Sequence, residues 1–173
     1  MPGSTPSVFV TTVAWTSIVL SGLTSLIGLM QNLFIWFLPR IDVEKAMAQG
    51  GDDAPTLLLW MAENIQWIFL FFWLMALSVL VSSVGLLKRK PWGLGAFTAM
   101  LYVGILWSLS SFAVMVSVLA SAPTFREGPP MFQAIEASIV VFNFIFMAAL
   151  VGLFAWLIRR LSAPAVKAEF AQP

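Results

Sequence analysis

The stretch NIQWIFLFFWLMALSVLVSSVGLL, Asn64 to Leu87, contains no Asp, Glu, Lys or Arg, and Lys88-Arg89-Lys90 and Pro91-Trp92 follow it at once. An α-helix rises 1.5 Å per residue and needs about 20 apolar residues to cross roughly 30 Å of hydrocarbon. This run is long enough. So are three more charge-free stretches, Met1 to Pro39, Pro91 to Phe125 and Ala137 to Ile158. Of 173 residues, 60% are hydrophobic and 10% charged, with a mean hydropathy of +0.94. A soluble domain carries about 25% charged residues and has no core to receive so much apolar surface.

The expected fold is therefore all-α and integral to the membrane. It is a four-transmembrane-helix bundle of two antiparallel hairpins in a single domain, residues 1–161, with helices near 8–38, 62–88, 91–120 and 131–161. The first apolar run is far longer than the core of a secretory signal, so it reads as an uncleaved span. Asp53 before Pro55 looks like the cap of an extension that opens helix two outside the hydrocarbon. Pro91 suits the first turn of helix three, and Pro129-Pro130 separates it from helix four. The tail, 162–173, is short, small and polar, and is expected to be disordered or held by a partner.

Four spans place both termini and the Lys88–Lys90 turn on one side. That side holds Lys88, Arg89, Lys90, Arg159, Arg160 and Lys167, six of the nine cations. The other holds Arg40, Lys45 and Arg126 among seven acids. The positive-inside rule then gives N-in, C-in. Lys88, Arg89, Lys90, Trp92, Arg159 and Arg160 are the cytoplasmic anchors, with lipid head groups as their partners. Three cations in a tight turn are too few for a nucleic-acid groove, and no nucleic-acid partner is expected.

The chain has no cysteine and no histidine. Disulfides, iron–sulfur clusters, haem ligation by histidine, Cys/His zinc sites and every Ser-His or Cys-His nucleophile pair are excluded. The Asp52-Asp53 loop lacks the spaced oxygen ligands of a calcium loop. No catalytic residue, metal or cofactor is expected, and the chain is not read as an enzyme. No ionisable residue falls at the expected midplane, which argues against a proton- or ion-coupled carrier.

Small and polar side chains recur at helical spacing. Helix one carries Ala14, Ser17, Ser21, Thr24, Gly28 and Gln31 on one near-heptad stripe. Helix four carries Ala148, Gly152 and Ala155; helix two has Ser78, Ser82 and Gly85, and helix three has Gly104, Ser108 and Ser111. Such stripes are packing seams, because small residues let helices approach where lipid supplies no hydrophobic drive. Glu136 and Asn143 lie on another face of helix four, and Asn32 lies off the expected helix-one seam. With Gln31, Glu63 and Gln66 they make a candidate polar cluster near the outer side, for a cation or polar head group. Helix-start acids wetted by water explain Glu63 equally simply.

The turn GLLKRKPWG resembles that of many small uncharacterised bacterial inner-membrane proteins with four spans, a resemblance of about ten residues and of topology. It implies a multi-pass protein of the bacterial inner membrane. The first helix lacks the embedded Glu of small multidrug transporters, and the chain lacks the extracellular cysteines of claudin-like and tetraspanin-like proteins. The functional expectation is a non-catalytic accessory, assembly or structural subunit, packed against other membrane proteins or itself. The alternative is a homo-oligomeric protein that binds or transports a small solute or lipid through the polar cluster.

Overall fold

The computed structural model describes residues 7–37, 60–61, 63–121 and 130–170, leaving aside the side chains of 118–121, 130, 132, 133 and 136. It is all-α: α1 (Val8–Phe37), α2 (Ile65–Leu87), α3 (Pro91–Ser121), α4 (Pro130–Leu161) and α5 (Pro164–Phe170). The four expected apolar helices are present, and each of α1 to α4 holds a segment long and apolar enough to cross a membrane. Asp53, Pro55 and the Asp52-Asp53 loop lie outside the described residues.

Local chemistry explains the starts. Ser7 caps α1: its Oγ accepts the Val10 N–H at 3.3 Å and its carbonyl accepts the Thr11 N–H at 3.3 Å. Proline opens α3, α4 and α5, at the position where its missing N–H has no intrahelical partner to lose. The expectation of a disordered tail is corrected, since residues 164–170 are helical. The Ala163 carbonyl receives the N–H groups of Val166 and Lys167 at 3.0 and 3.1 Å, and Pro164 presets the first turn.

The chain divides into two compact units, Met1–Phe97 with Glu169–Pro173, and Thr98–Ala168. In the first, α1 and α2 run antiparallel. Asn32 Nδ2 donates to the Phe69 carbonyl at 3.2 Å and to its own Gly28 carbonyl at 2.8 Å. One turn away Trp73 Nε1 donates to the Ser25 carbonyl at 3.0 Å, and a Cβ on Gly28 would lie 3.1 Å from the Trp73 ring. Gly28 is small because the indole crosses there.

The buried residues of α1 are Val10, Ala14, Ser21, Ser25 and Asn32. Ser17 and Gly28 are half-buried, whereas Thr24 and Gln31 are exposed. The expected seam thus holds in its first half and shifts by one residue in its second, so that Asn32 belongs to it. The reason is geometric. Val10, Ser21 and Asn32 are eleven apart, as are Ala14 and Ser25. Eleven residues make about three turns of 3.67 residues, close to a straight helix, whereas a strict heptad stripe drifts about 20° per repeat.

The hydroxyls contribute less between helices than the stripe suggests. Ser21, Thr24, Ser78, Ser83, Ser108, Ser117 and Ser138 each donate to the carbonyl four residues back, and Ser82 to the carbonyl three back. Side-chain bonds between α1 and α2 come instead from the Asn32 amide and the Trp73 indole.

The α2–α3 turn is closed by two reversed bonds, Lys90 N–H to the Gly85 carbonyl at 3.0 Å and Arg89 N–H to the Leu86 carbonyl at 3.1 Å. This six-to-one and five-to-two pairing requires a left-handed residue after the helix cap, and Arg89 takes it with φ 53°. The helices meet backbone to backbone just beyond. A Cβ on Gly93 would lie 2.6 Å from Leu86 N, and one on Gly85 would lie 2.9 Å from Gly93 Cα.

In the second unit α3 and α4 pair antiparallel through rings. A Cβ on Gly104 would lie 2.8 Å from Phe154, and the Phe112 and Phe144 centroids are 5.8 Å apart.

Candidate functional site

The most connected polar group among the described residues is at the turn end of the first unit. The Arg89 guanidinium pairs with Glu169 Oε2 through one nitrogen and donates to Thr11 Oγ1 at 3.1 Å through the other. The same carboxylate oxygen accepts the backbone N–H of Ser7 at 3.2 Å. Three segments remote in sequence therefore meet on one carboxylate: the start of α1, the α2–α3 turn and the end of α5. The side chains are 22% and 12% exposed, so the pair is partly shielded from water.

The electrostatics favour this pairing. An acid at the C-terminal end of α5 opposes that helix's own dipole. The same acid on the first N–H groups of α1 is favoured by the dipole of a helix of 30 residues. Glu169 is placed for α1, not for α5. The buried apolar residues of the first unit are Val10, Ala14, Leu86, Phe97 and Phe170.

Of the expected anchors, Arg89 is half-buried and has its guanidinium bound to Glu169 and Thr11. Lys88, Lys90, Trp92, Arg159 and Arg160 are exposed, as anchors at an interface require. Arg160 lies 5.9 Å from the centroid of the Trp156 ring, a cation–π distance. Ser7, Thr11 and Glu169 were not marked as site residues by the sequence. Ser7 immediately before an apolar run was legible as a cap, and Ser162-Ala163-Pro164 as a helix start.

The candidate polar cluster is distributed over both units. Gln31 and Glu63 are exposed and Gln66 is half-buried, all in the first unit, with no side-chain hydrogen bond among the described residues. Asn143, in the second, is half-buried and donates to its own Ile139 carbonyl at 2.9 Å. Glu136 is in α4, with its side chain outside those described.

Helix α4 differs from α1 and α2 in what it covers. None of its most apolar window is buried, against 22% of the corresponding window of α2. Ala148, Gly152 and Ala155 are all exposed, and nothing lies within 4 Å of a Cβ built on Gly152. At 100° per residue Gly152 is about 160° round the helix from Phe154 and about 80° from Phe144, the two rings that meet α3. Within the second unit the expected helix-four seam is thus left open at Gly152. Nearer the start of α4 a shallow groove of about 430 Å³ is lined, among the described residues, by Met131, Ile135, Ser138, Ile139, Phe142 and Asn143, and by Ala134. The Ser138 hydroxyl donates to Ala134 and Asn143 to Ile139, so the groove's surface is mainly apolar.

Comparison of the chain with protein-family models, curated proteins and solved structures found no match.

Proposed function

We propose that this protein is a non-catalytic subunit of a membrane assembly, held in the membrane by four spans with both termini inside, and joined to other integral membrane proteins through α4. The observation that carries the reading is the exposed small-residue stripe of α4, Ala148, Gly152 and Ala155, at whose centre a Cβ added to Gly152 would meet nothing within 4 Å. Lipid packs against any apolar helix, but a face of small residues gains most from a second helix, because backbones approach closely there. On α2 and α3 the equivalent glycines, Gly85 and Gly104, are each met by a neighbouring side chain.

Orientation rests on charge. Exposed Lys88, Lys90, Arg159, Arg160 and Lys167 fall on the ends that the N-in, C-in arrangement puts at the anionic leaflet, and each gains about 1 kcal/mol there. The resemblance of the GLLKRKPWG turn supports a bacterial inner membrane as the location.

The test is purification of the tagged full chain in mild detergent, followed by mass spectrometry of the intact complex. A stoichiometric, unrelated membrane protein that is lost when Gly152→Leu fills the open face supports the reading. A monodisperse self-oligomer with a retained small molecule, unaffected by Gly152→Leu, overturns it in favour of a binding or transport protein.

A further inference from the structure

We propose that α5 is a latch: Glu169 fastens the C-terminal helix to the start of α1 and to the α2–α3 turn, and the chain has a second state in which this helix is released.

Three observations carry it. The first is convergence. Glu169 reaches Ser7 across 162 positions and Arg89 across 80, and both bonds fall on the single oxygen Oε2. The contact therefore closes the chain's two ends upon its middle.

The second is length. α5 has seven residues, and isolated helices shorter than about 12–15 residues are marginal in water. Its helicity depends on what it docks against, through Glu169 and the buried Phe170. Docking and folding of this segment are then one event, which makes release cooperative instead of gradual.

The third is the backbone of Arg89. The turn's two reversed bonds ask for a left-handed residue, and glycine is the residue that meets this without steric cost. Arginine stands there with φ 53° and places a guanidinium between Glu169 and Thr11. Local strain of this kind persists where the surroundings hold it, and here the two reversed bonds of the turn hold it, with the guanidinium aimed at Glu169 as the result. On release, Arg89 joins Lys88 and Lys90 as a turn with three free cations, and the Ser7 N–H at the positive end of α1 loses its carboxylate.

The partly exposed geometry sets the strength. Charge-assisted bonds in such a site are weakened by water and salt, so the latch opens more readily than the α1–α2 hairpin unfolds.

Hydrogen–deuterium exchange mass spectrometry on the full chain in zwitterionic nanodiscs tests this with Glu169→Gln and Arg89→Gly. Glu169→Gln keeps the size of the side chain and removes its charge; Arg89→Gly removes the guanidinium and favours the turn. In both variants the amides of 164–170 are expected to exchange at least about fivefold faster, the scale of one hydrogen bond to a charged group at a partly exposed site. The Arg89-position and Lys90 amides, which close the α2–α3 turn, are expected to stay protected in both. Unchanged exchange of 164–170 in the two variants overturns the proposal, because α5 is then held without the clamp. Opening of the turn amides together with 164–170 in Glu169→Gln overturns it too, because the contact is then part of the global fold and not a separable latch.

Discussion

A methyl group added at Gly93 and one added at Gly95 should move stability in opposite directions, although the two sites are two residues apart in α3. At Gly93 the new Cβ meets Leu86 N at 2.6 Å and Gly85 Cα at 2.7 Å, and the Gly85 carbonyl carbon closer still. These are backbone atoms of α2 and cannot rotate aside, so the turn has to open. Overpacking costs about 1–3 kcal/mol, and immovable neighbours put this site near the upper end. Replacing a helical glycine returns up to about 1 kcal/mol, which leaves a net loss of about 2 kcal/mol. At Gly95 nothing lies within 4 Å of the new Cβ, so the helical gain of up to about 1 kcal/mol stands alone. For a chain of this size 1 kcal/mol corresponds to about 2–4 °C in Tm. Gly93→Ala should therefore melt about 4–8 °C below the wild type and Gly95→Ala up to about 4 °C above it. The eight tryptophans provide the fluorescence signal for a thermal scan in detergent. Gly85→Ala should lower Tm as well, and less than additively with Gly93→Ala because both act on one contact. Equal Tm values for Gly93→Ala and Gly95→Ala would refute the backbone-to-backbone approach of α2 and α3.

Four other substitutions follow from the α1–α2 seam and from α4. Ser25 Oγ is buried with no hydrogen-bond partner among the described residues, so Ser25→Ala should be neutral or stabilising by up to about 1 kcal/mol, and a Tm loss beyond about 4 °C would contradict it. Asn32→Leu and Trp73→Phe each remove a bond to a carbonyl on the facing helix and should each lower stability by about 0.6–1.7 kcal/mol, read from denaturant titration in detergent micelles. Gly152→Leu should leave the Tm of the isolated chain within about 2 °C or raise it slightly, since its new side chain meets open space, while abolishing co-purification of a partner.

What the sequence discloses and what it withholds divide along a physical line. The spans were legible because hydrocarbon thickness fixes a length and excludes charge, and both can be counted in a run such as Asn64 to Leu87. The α1 seam was legible in its first half only. Over Ala14, Ser17 and Ser21 a heptad and an eleven-residue stripe nearly coincide; by Thr24 and Gln31 they have separated, and burial follows Ser25 and Asn32. The partner helix decides between them, through the Trp73 indole and the Phe69 carbonyl, and no local pattern in α1 encodes either. The clamp was least legible. Ser7, Thr11 and Glu169 are ordinary residues of two polar termini, and only tertiary structure brings them to Arg89. The tail was misjudged for the same reason, since composition alone favours disorder in a segment whose helix depends on a contact 80 positions away.

In sequence Lys88, Arg89 and Lys90 are three equivalent cations, yet among the described residues only the middle one is left-handed and paired with a carboxylate. Orientation and docking should then be separable within a single tripeptide. Lys88→Gln with Lys90→Gln removes two exposed charges from the face proposed to be inner and leaves the clamp intact, so it should weaken the topological bias without releasing α5. Arg89→Gly removes one charge, keeps two, and should release α5 with topology unchanged. Because the chain has no cysteine, Lys167→Cys introduces a unique thiol on α5 for labelling by an impermeant maleimide in intact cells and in opened membranes. The paired lysine variant should give some labelling from outside and wild-type labelling rates in opened membranes. The Arg89→Gly variant should stay silent from outside and be labelled once the membranes are opened, its release of α5 being read from exchange of the 164–170 amides. Outside labelling in the Arg89→Gly chain that exceeds that of the lysine pair would show that Arg89 acts as a topological charge after all, and that its pairing with Glu169 does not withdraw it from the membrane surface.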